Sequence, residues 1–463
     1  MNITLFGAAG DVTGSAYFVE TKDAAVMVDF GVFQGGKEAD TRNREFPPIN
    51  IKGLSAVLLT HAHLDHTGRL PLLTKNGYDK PIYATAATID VTALILHDSV
   101  KVQAMDYEHL TKRRARRGKA PLQTLYSAED AEKAIALLTP APYNTYFPVA
   151  KGIQARIHEA GHILGSGSIE LTVEEDGQKK VVVFSGDIGP QGMAILNDPE
   201  PYLKADLVFM ESTYGDRDHR SLKDTLAEGE QIIREGLKNK GKILVPSFAV
   251  GRTQQLLYYL AAAAHKGDIP DFPVFIDSPM AIEATKLYMK HEELYDKEAR
   301  ELSESGELKT DLEHVTFCST ADESKALNFI EGSCMILAGA GMCNAGRILH
   351  HLRHNLWRPE TSVVIVGYQG EGTLGRMLID GAQEVRIFGE KIAVKAQIHS
   401  LGGLSAHAGQ TDLINWFSAI APSRPKLVLS HGEDKGRVPL ASLIKQKFGI
   451  TAILPEFGQK IVI

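Results

Sequence analysis

His61-Ala62-His63-Leu64-Asp65-His66 places three imidazoles and a carboxylate within six residues. The stretch follows the apolar run Ala56-Val57-Leu58-Leu59, which reads as a buried strand. Thr60 and the histidines therefore emerge at a strand's C-terminal end, where α/β proteins place their chemistry. Imidazole nitrogens and a carboxylate suit zinc and similar borderline cations. Alternation along an extended segment puts His61 and His63 on one side, able to share an ion. Asp65 and His66 follow as the chain turns toward a helix and can reach a second ion. Two adjacent metals favour hydrolysis, often of phosphate esters.

The rest of the chain must hold such a centre. Its 463 residues suffice for two or three domains, and 44% hydrophobic with 23% charged residues is ordinary globular composition. The longest apolar run, around Leu256 to Ala264, contains tyrosines, so no membrane partner is expected. Met1 to Phe6 lacks the regions of a signal peptide. Cys318, Cys334 and Cys343 show no paired spacing and fit a reducing, cytoplasmic setting. A net charge of −7 does not advertise a nucleic-acid binder, yet residues 112–119 carry six cations in eight positions. That run is read with even weight as a solvated helix end or as a phosphate-contacting patch.

The first part of the chain reads as strand-rich, with a hairpin signal at Asp176-Gly177 and helices over 85–117 and 128–138. From Leu203 onward strands alternate with helices, beginning at Leu207-Met210, which implies a parallel sheet flanked by helices. Lys426 to Ser430 then runs into His431, again a strand delivering a histidine. Residues 450–454 and 460–463 read as short closing strands. The expected division is 1–205 as the first part of one domain, 206–397 as an inserted domain, and 398–463 as the return to the first.

Two ions need further ligands, and three residues stand in similar settings. His162 lies in Ala160-Gly161-His162, Asp187 ends Val181 to Gly186, and His431 ends Val428 to Ser430. His158, four residues before His162, competes with it; the glycine beside His162 favours the latter. A carboxylate such as Asp187 can bridge two cations.

The ordered set of His-x-His-x-Asp-His after a strand, Gly-His, a strand ending in Gly-Asp, and a distal histidine resembles the metallo-β-lactamase superfamily. The resemblance implies an α/β fold, an αββα sandwich, and two Zn2+ ions per chain. His61, His63 and His162 would hold one ion and Asp65, His66 and His431 the other, with Asp187 bridging. Asp29, in Val28-Asp29-Phe30-Gly31, matches the superfamily's supporting aspartate, which fixes ring orientation without bonding metal.

Many hydrolases share that cluster, so the fold cannot name the ester. Glu211-Ser212-Thr213-Tyr214-Gly215, Ser405-Ala406-His407 and Ser430-His431-Gly432-Glu433 resemble the signature motifs of the β-CASP group of nucleic-acid-processing relatives. Pro246 to Arg252, Ile276 to Ala281, Gly339 to Met342 and Val366 to Gln369 agree with it. The resemblance implies an inserted β-CASP domain with a parallel sheet flanked by helices. It also implies a zinc-dependent ribonuclease leaving 5′-phosphate and 3′-hydroxyl ends. Asp65, Glu211 and His407 would be catalytic, with His407 protonating the departing oxygen and Glu211 orienting it.

Single-stranded RNA is the expected partner, and a homodimer is left open. Gly251 and Arg252, opening a helix after a strand, can present N–H groups and a guanidinium to a phosphate. Ser247, Arg347, Gly375 and Arg376 are further candidates in similar turns. The alternatives are a DNA nuclease or other dimetal hydrolase, and a non-catalytic RNA-binding subunit.

Overall fold

The computed structural model describes residues 1–35, 38–120, 123–305, 314–370 and 372–463. Two compact units divide the chain. The first comprises Met1–Gln191, Asp198–Asp218 and His407–Ile463; the second comprises Gly192–Asn197 and His219–Ala406.

The first unit holds two sheets. One runs, in spatial order, Lys460–Val462, Asn2–Leu5, Tyr17–Glu20, Ala25–Val28, Leu54–Leu58, Ile82–Ala84 and Leu138–Pro140. The other runs Lys426–Leu429, Leu207–Met210, Gln178–Phe184, Gly167–Glu175, Ile153–Glu159 and Phe147–Ala150. Period-2 alternation sorts the side chains into layers. Val26, Val28, Ala56 and Leu58 share a buried core with Val182, Phe184, Leu207 and Phe209 from the second sheet. Met27 and Val57 point the other way, toward Leu70 and Leu73 of the helix Leu70–Lys75. Val183, Val208 and Met210 pack on Leu413 and Phe417 of the helix Gln410–Ile420 and on Leu440 and Ile444 of Asp434–Phe448. The layers are helix, sheet, sheet, helix.

The strand Leu207–Met210 opens the alternating region in sequence, yet it pairs in parallel with Gln178–Phe184 and Lys426–Leu429 in the first unit. Residues 450–454 form no strand; Ile453 makes an isolated bridge to Val428. Lys460–Val462 pairs with Asn2–Leu5, joining the two chain ends in one sheet. Asp176 and Gly177 both adopt positive φ, 50° and 75°, as a tight hairpin turn requires. The basic run closes the helix Ala86–Ala115, where cations oppose the negative end of the helix dipole; Arg113's side chain lies outside the described residues.

The second unit is built on six parallel strands in the order Val315–Phe317, Val274–Ile276, Cys334–Ala338, Lys242–Pro246, Ser362–Ile365 and Gln397–Ser400. Both faces are apolar because helices cover both. Among the described residues, no helix is long and apolar enough to cross a membrane.

Candidate metal centre

Five strands of the first unit deliver the site. Ala25–Val28, Leu54–Leu58, Gln178–Phe184, Leu207–Met210 and Lys426–Leu429 end just before Asp29, His61, Asp187, Glu211 and His431. Neighbouring parallel strands leave these ends side by side. Asp29 and His431 adopt left-handed backbone, φ 57° and 47°, which β-strand continuation would forbid; both chains turn sharply at the centre. Gly31 allows the close approach behind it, since a Cβ there would lie 1.5 Å from the Asp65 carbonyl oxygen.

The potential ligand atoms form two groups, His61, His63, His162 and Asp187, and Asp65, His66 and His431. Within the first, Nε2 of His61 and Nε2 of His162 lie 3.2 and 3.1 Å from Nδ1 of His63. Oδ2 of Asp187 stands 3.4 Å from His61 Nε2 and 3.6 Å from His162 Nε2. Ligands of a tetrahedral zinc, bound at about 2.0–2.1 Å, lie about 3.3–3.4 Å from one another. The donor set fits that spacing. In the second group His66 Nε2 and His431 Nε2 are 3.2 Å apart, and Asp65 Oδ2 is 3.6 Å from His431 Nε2.

Asp187 faces both groups. Its Oδ1 is buried, accepts no hydrogen bond, and lies 3.4 Å from His66 Nε2. A carboxylate oxygen sealed from water without a donor is costly unless a cation meets it. This chain therefore holds a metal-binding site.

The protonation tendencies of the first group agree. Burial pushes His61 down to about 3 and His63 to about 4, and drives His162 well below the ordinary range, so these rings are neutral and able to offer a nitrogen to a cation. Burial opposes charge on His66 too, but Asp187 and Asp29 outweigh it and raise that ring. Asp29 Oδ2 lies 2.7 Å from His66 Nδ1. The Asp29 carboxylate is held in turn by Thr60, whose N–H donates to Oδ1 and whose Oγ1–H donates to Oδ2, both at 2.8 Å. An Nδ1–H bound to Asp29 leaves Nε2 as the donor atom for metal.

His407 and Glu211 join the same centre. Nδ1 of His407 lies 3.2 Å from Glu211 Oε1 and 4.0 Å from Asp187 Oδ2. Glu211 is fixed by Ile188 N–H at 2.7 Å and Thr213 N–H at 3.3 Å. Burial disfavours a charged His407, yet Glu211 and then Asp187 lift it to about 9. His407 also forms a third grouping with Asp187 and His431. Its carboxylate partner and its 20% exposed side chain suit a proton donor.

The competitor His158 is outside the cluster, its ring tilted against Tyr202 with centroids 4.0 Å apart. Sequence reading passed over Thr60, Thr213 and Ser166 as supports. Thr213 Oγ1 lies 3.3 Å from His431 Nδ1, and Ser166 Oγ accepts the His162 N–H at 3.0 Å. Their hydroxyls carry no distinguishing local pattern.

The residues expected to contact substrate all belong to the second unit. Ser247 is buried with Oγ 3.0 Å from Thr253 Oγ1. Gly251, φ 83°, caps the helix Arg252–His265, and buried Arg252 donates to Gln255 at 2.6 Å. Gly375 is buried and its N–H donates to the Met342 carbonyl. Arg376 is half exposed and pairs with Asp380 at 2.9 Å. Arg347 is committed to the fold: it donates to Asp277 at 2.6 Å and to the carbonyls of Cys318 and Ser319. Fully buried Asp277 also takes His351 at 2.6 Å and Ser324 at 2.5 Å. Asp277→Ala, which strips three charged or polar partners of their acceptor, is expected to cost about 3–5 kcal/mol in denaturant unfolding; a loss under about 1 kcal/mol would contradict the network's role.

Comparison with known proteins supplies names for the parts. Residues 9–234 match the metallo-beta-lactamase superfamily, 253–378 the Beta-Casp domain, and 391–455 a Zn-dependent metallo-hydrolase RNA specificity domain. Ribonuclease TTHA0252 of Thermus thermophilus is 38% identical over 459 residues, 99% of both chains. Transcription termination factor FttA of Methanocaldococcus jannaschii is 29% identical over 98% of this chain and 70% of its own. A protein of unknown function from Enterococcus faecalis V583 shares the fold, with a TM-score of 0.53 at 13% identity over 100% of this chain and 99% of its own.

Proposed function

Since the chain belongs to the β-CASP group of the metallo-β-lactamase superfamily, we propose that it is a two-zinc ribonuclease hydrolysing RNA to 5′-phosphate and 3′-hydroxyl ends. The single observation that carries this reading is the His407–Glu211 pair set against Asp187. A metal centre alone fits many esters; a partly exposed imidazole held protonated beside it by Glu211 fits one whose leaving group needs a proton. RNA as substrate is supported by the name of the Thermus thermophilus relative, a ribonuclease, and by the RNA specificity family matched over 391–455.

His61, His63 and His162 would hold one zinc and Asp65, His66 and His431 the other, with Asp187 between them. Bound zinc supplies Lewis acidity and brings the pKa of water toward neutrality. The protein supplies the rest. Thr60 and Asp29 keep the His66 ring in one orientation and tautomer. Two backbone N–H groups fix Glu211, Glu211 fixes His407, and the imidazolium gives its proton to the departing 3′ oxygen. Three free, buried thiols support a cytoplasmic setting.

Matched RNA and DNA oligonucleotides, end-labelled and offered with 5′-triphosphate or 5′-monophosphate, test the reading. RNA cleavage is expected, product lengths report endo- or exonucleolytic mode, and DNA cleavage with RNA untouched would overturn the substrate. Asp29→Ala should leave the fold intact while weakening zinc about 10–100-fold in chelator competition, the usual cost of removing a ligand's outer partner. Native zinc affinity in that variant would remove Asp29 from the site.

A further inference from the structure

We propose that the Phe248 ring is a base-stacking platform for single-stranded RNA; this rests on the reading of RNA as substrate. The three central parallel strands of the second unit, Lys242–Pro246, Cys334–Ala338 and Ser362–Ile365, send the loops that follow them to one edge of the sheet. Open α/β sheets bind their ligands at that edge. Phe248 stands in the first of these loops and is 37% exposed, while Ser247, Ala249 and Val250 around it are buried.

Its surroundings hold the ring without covering it. The Phe248 carbonyl accepts from Thr253 N–H at 3.3 Å, Thr253 Oγ1 at 2.8 Å and Ser247 Oγ at 3.3 Å. Along the ring's Cδ2–Cε2 side lie Gly341 and Gly367, from the second and third loops. A Cβ at Gly341 would stand 2.7 Å from Cδ2, and one at Gly367 3.1 Å from Cε2. Gln369 Nε2 donates to the carbonyls of both glycines, at 2.9 and 3.2 Å, and ties those loops together. The result is a phenyl ring seated in a backbone slot, anchored at its base and open to solvent. An ordered, exposed ring loses little freedom when a flat partner settles on it. Every nucleobase offers a π face, so the contact requires no particular sequence.

The full-length, zinc-loaded protein and one single-stranded RNA oligonucleotide provide the test. Phe248→Leu fills the slot beside the glycines but has no π face, whereas Phe248→Tyr keeps one. The Leu variant is expected to raise KM about tenfold and the Tyr variant to stay near native. Removing bases one at a time should reveal a nucleotide whose loss costs the native protein about as much. The same abasic substrate should cost the Leu variant nothing further. Native-like KM in the Leu variant, or an equal abasic penalty in both proteins, would overturn the platform. Failure of the native protein to cleave RNA at all would instead overturn the substrate assignment beneath it.

Discussion

Asp187→Ala is expected to empty the site of zinc and abolish cleavage while the sandwich remains folded. Asp187 faces both ligand sets: Oδ2 lies 3.4 Å from His61 Nε2, and Oδ1 lies 3.4 Å from His66 Nε2. Removing a residue that merely orients a ligand weakens metal about 10–100-fold, so losing this carboxylate should cost more than about 100-fold. The fold itself does not depend on it, because the strand beneath is anchored by Val182 and Phe184 in one core and Val183 in another. Metal that binds only the native state, at about a thousand times its Kd, stabilises by about 4 kcal/mol. A chelator should therefore lower the unfolding midpoint of the native protein and leave that of Asp187→Ala unmoved. Native-level zinc in the variant, or an unchanged response to chelator, would show that Asp187 does not hold metal between the two ligand sets.

How much of this was legible depends on how local each signal is. His61 to His66 could be read because a buried strand and all four donors are consecutive. Glu211 and His407 needed a family resemblance: 196 positions apart, they meet at 3.2 Å, and no local pattern announces that meeting. Leu207–Met210 was legible as a strand but not by sheet. All four residues are buried, alternately between the sheets and beneath the helices, and a strand apolar on both faces fits either sheet equally. Leu138–Pro140 and Val315–Phe317 were missed because three residues are too few for alternation. Arg347 in its glycine-rich turn read as a phosphate contact. Its acceptor, Asp277, lies 70 positions away and becomes apparent only when the strand and helix pack.

His407→Ala should lower kcat by about 10²–10⁴-fold, the span that a positioned general acid contributes, without loss of zinc. The ring lies 4.0 Å from Asp187 and has Glu211 as its nearest carboxylate, so the two ligand sets stay complete when it is removed. A structural explanation would also predict a slower enzyme, and the leaving group separates the two. If His407 protonates the departing 3′ oxygen, replacing that oxygen by sulfur gives a thiolate, which leaves without a proton. The penalty of His407→Ala should then collapse on the sulfur-bridged substrate, and Glu211→Gln, which removes the charge that orients and holds the imidazolium, should follow the same pattern to a smaller degree. An undiminished penalty on the sulfur substrate would assign His407 to positioning the phosphate or supporting the metal, and would leave the departing oxygen to be protonated by another group.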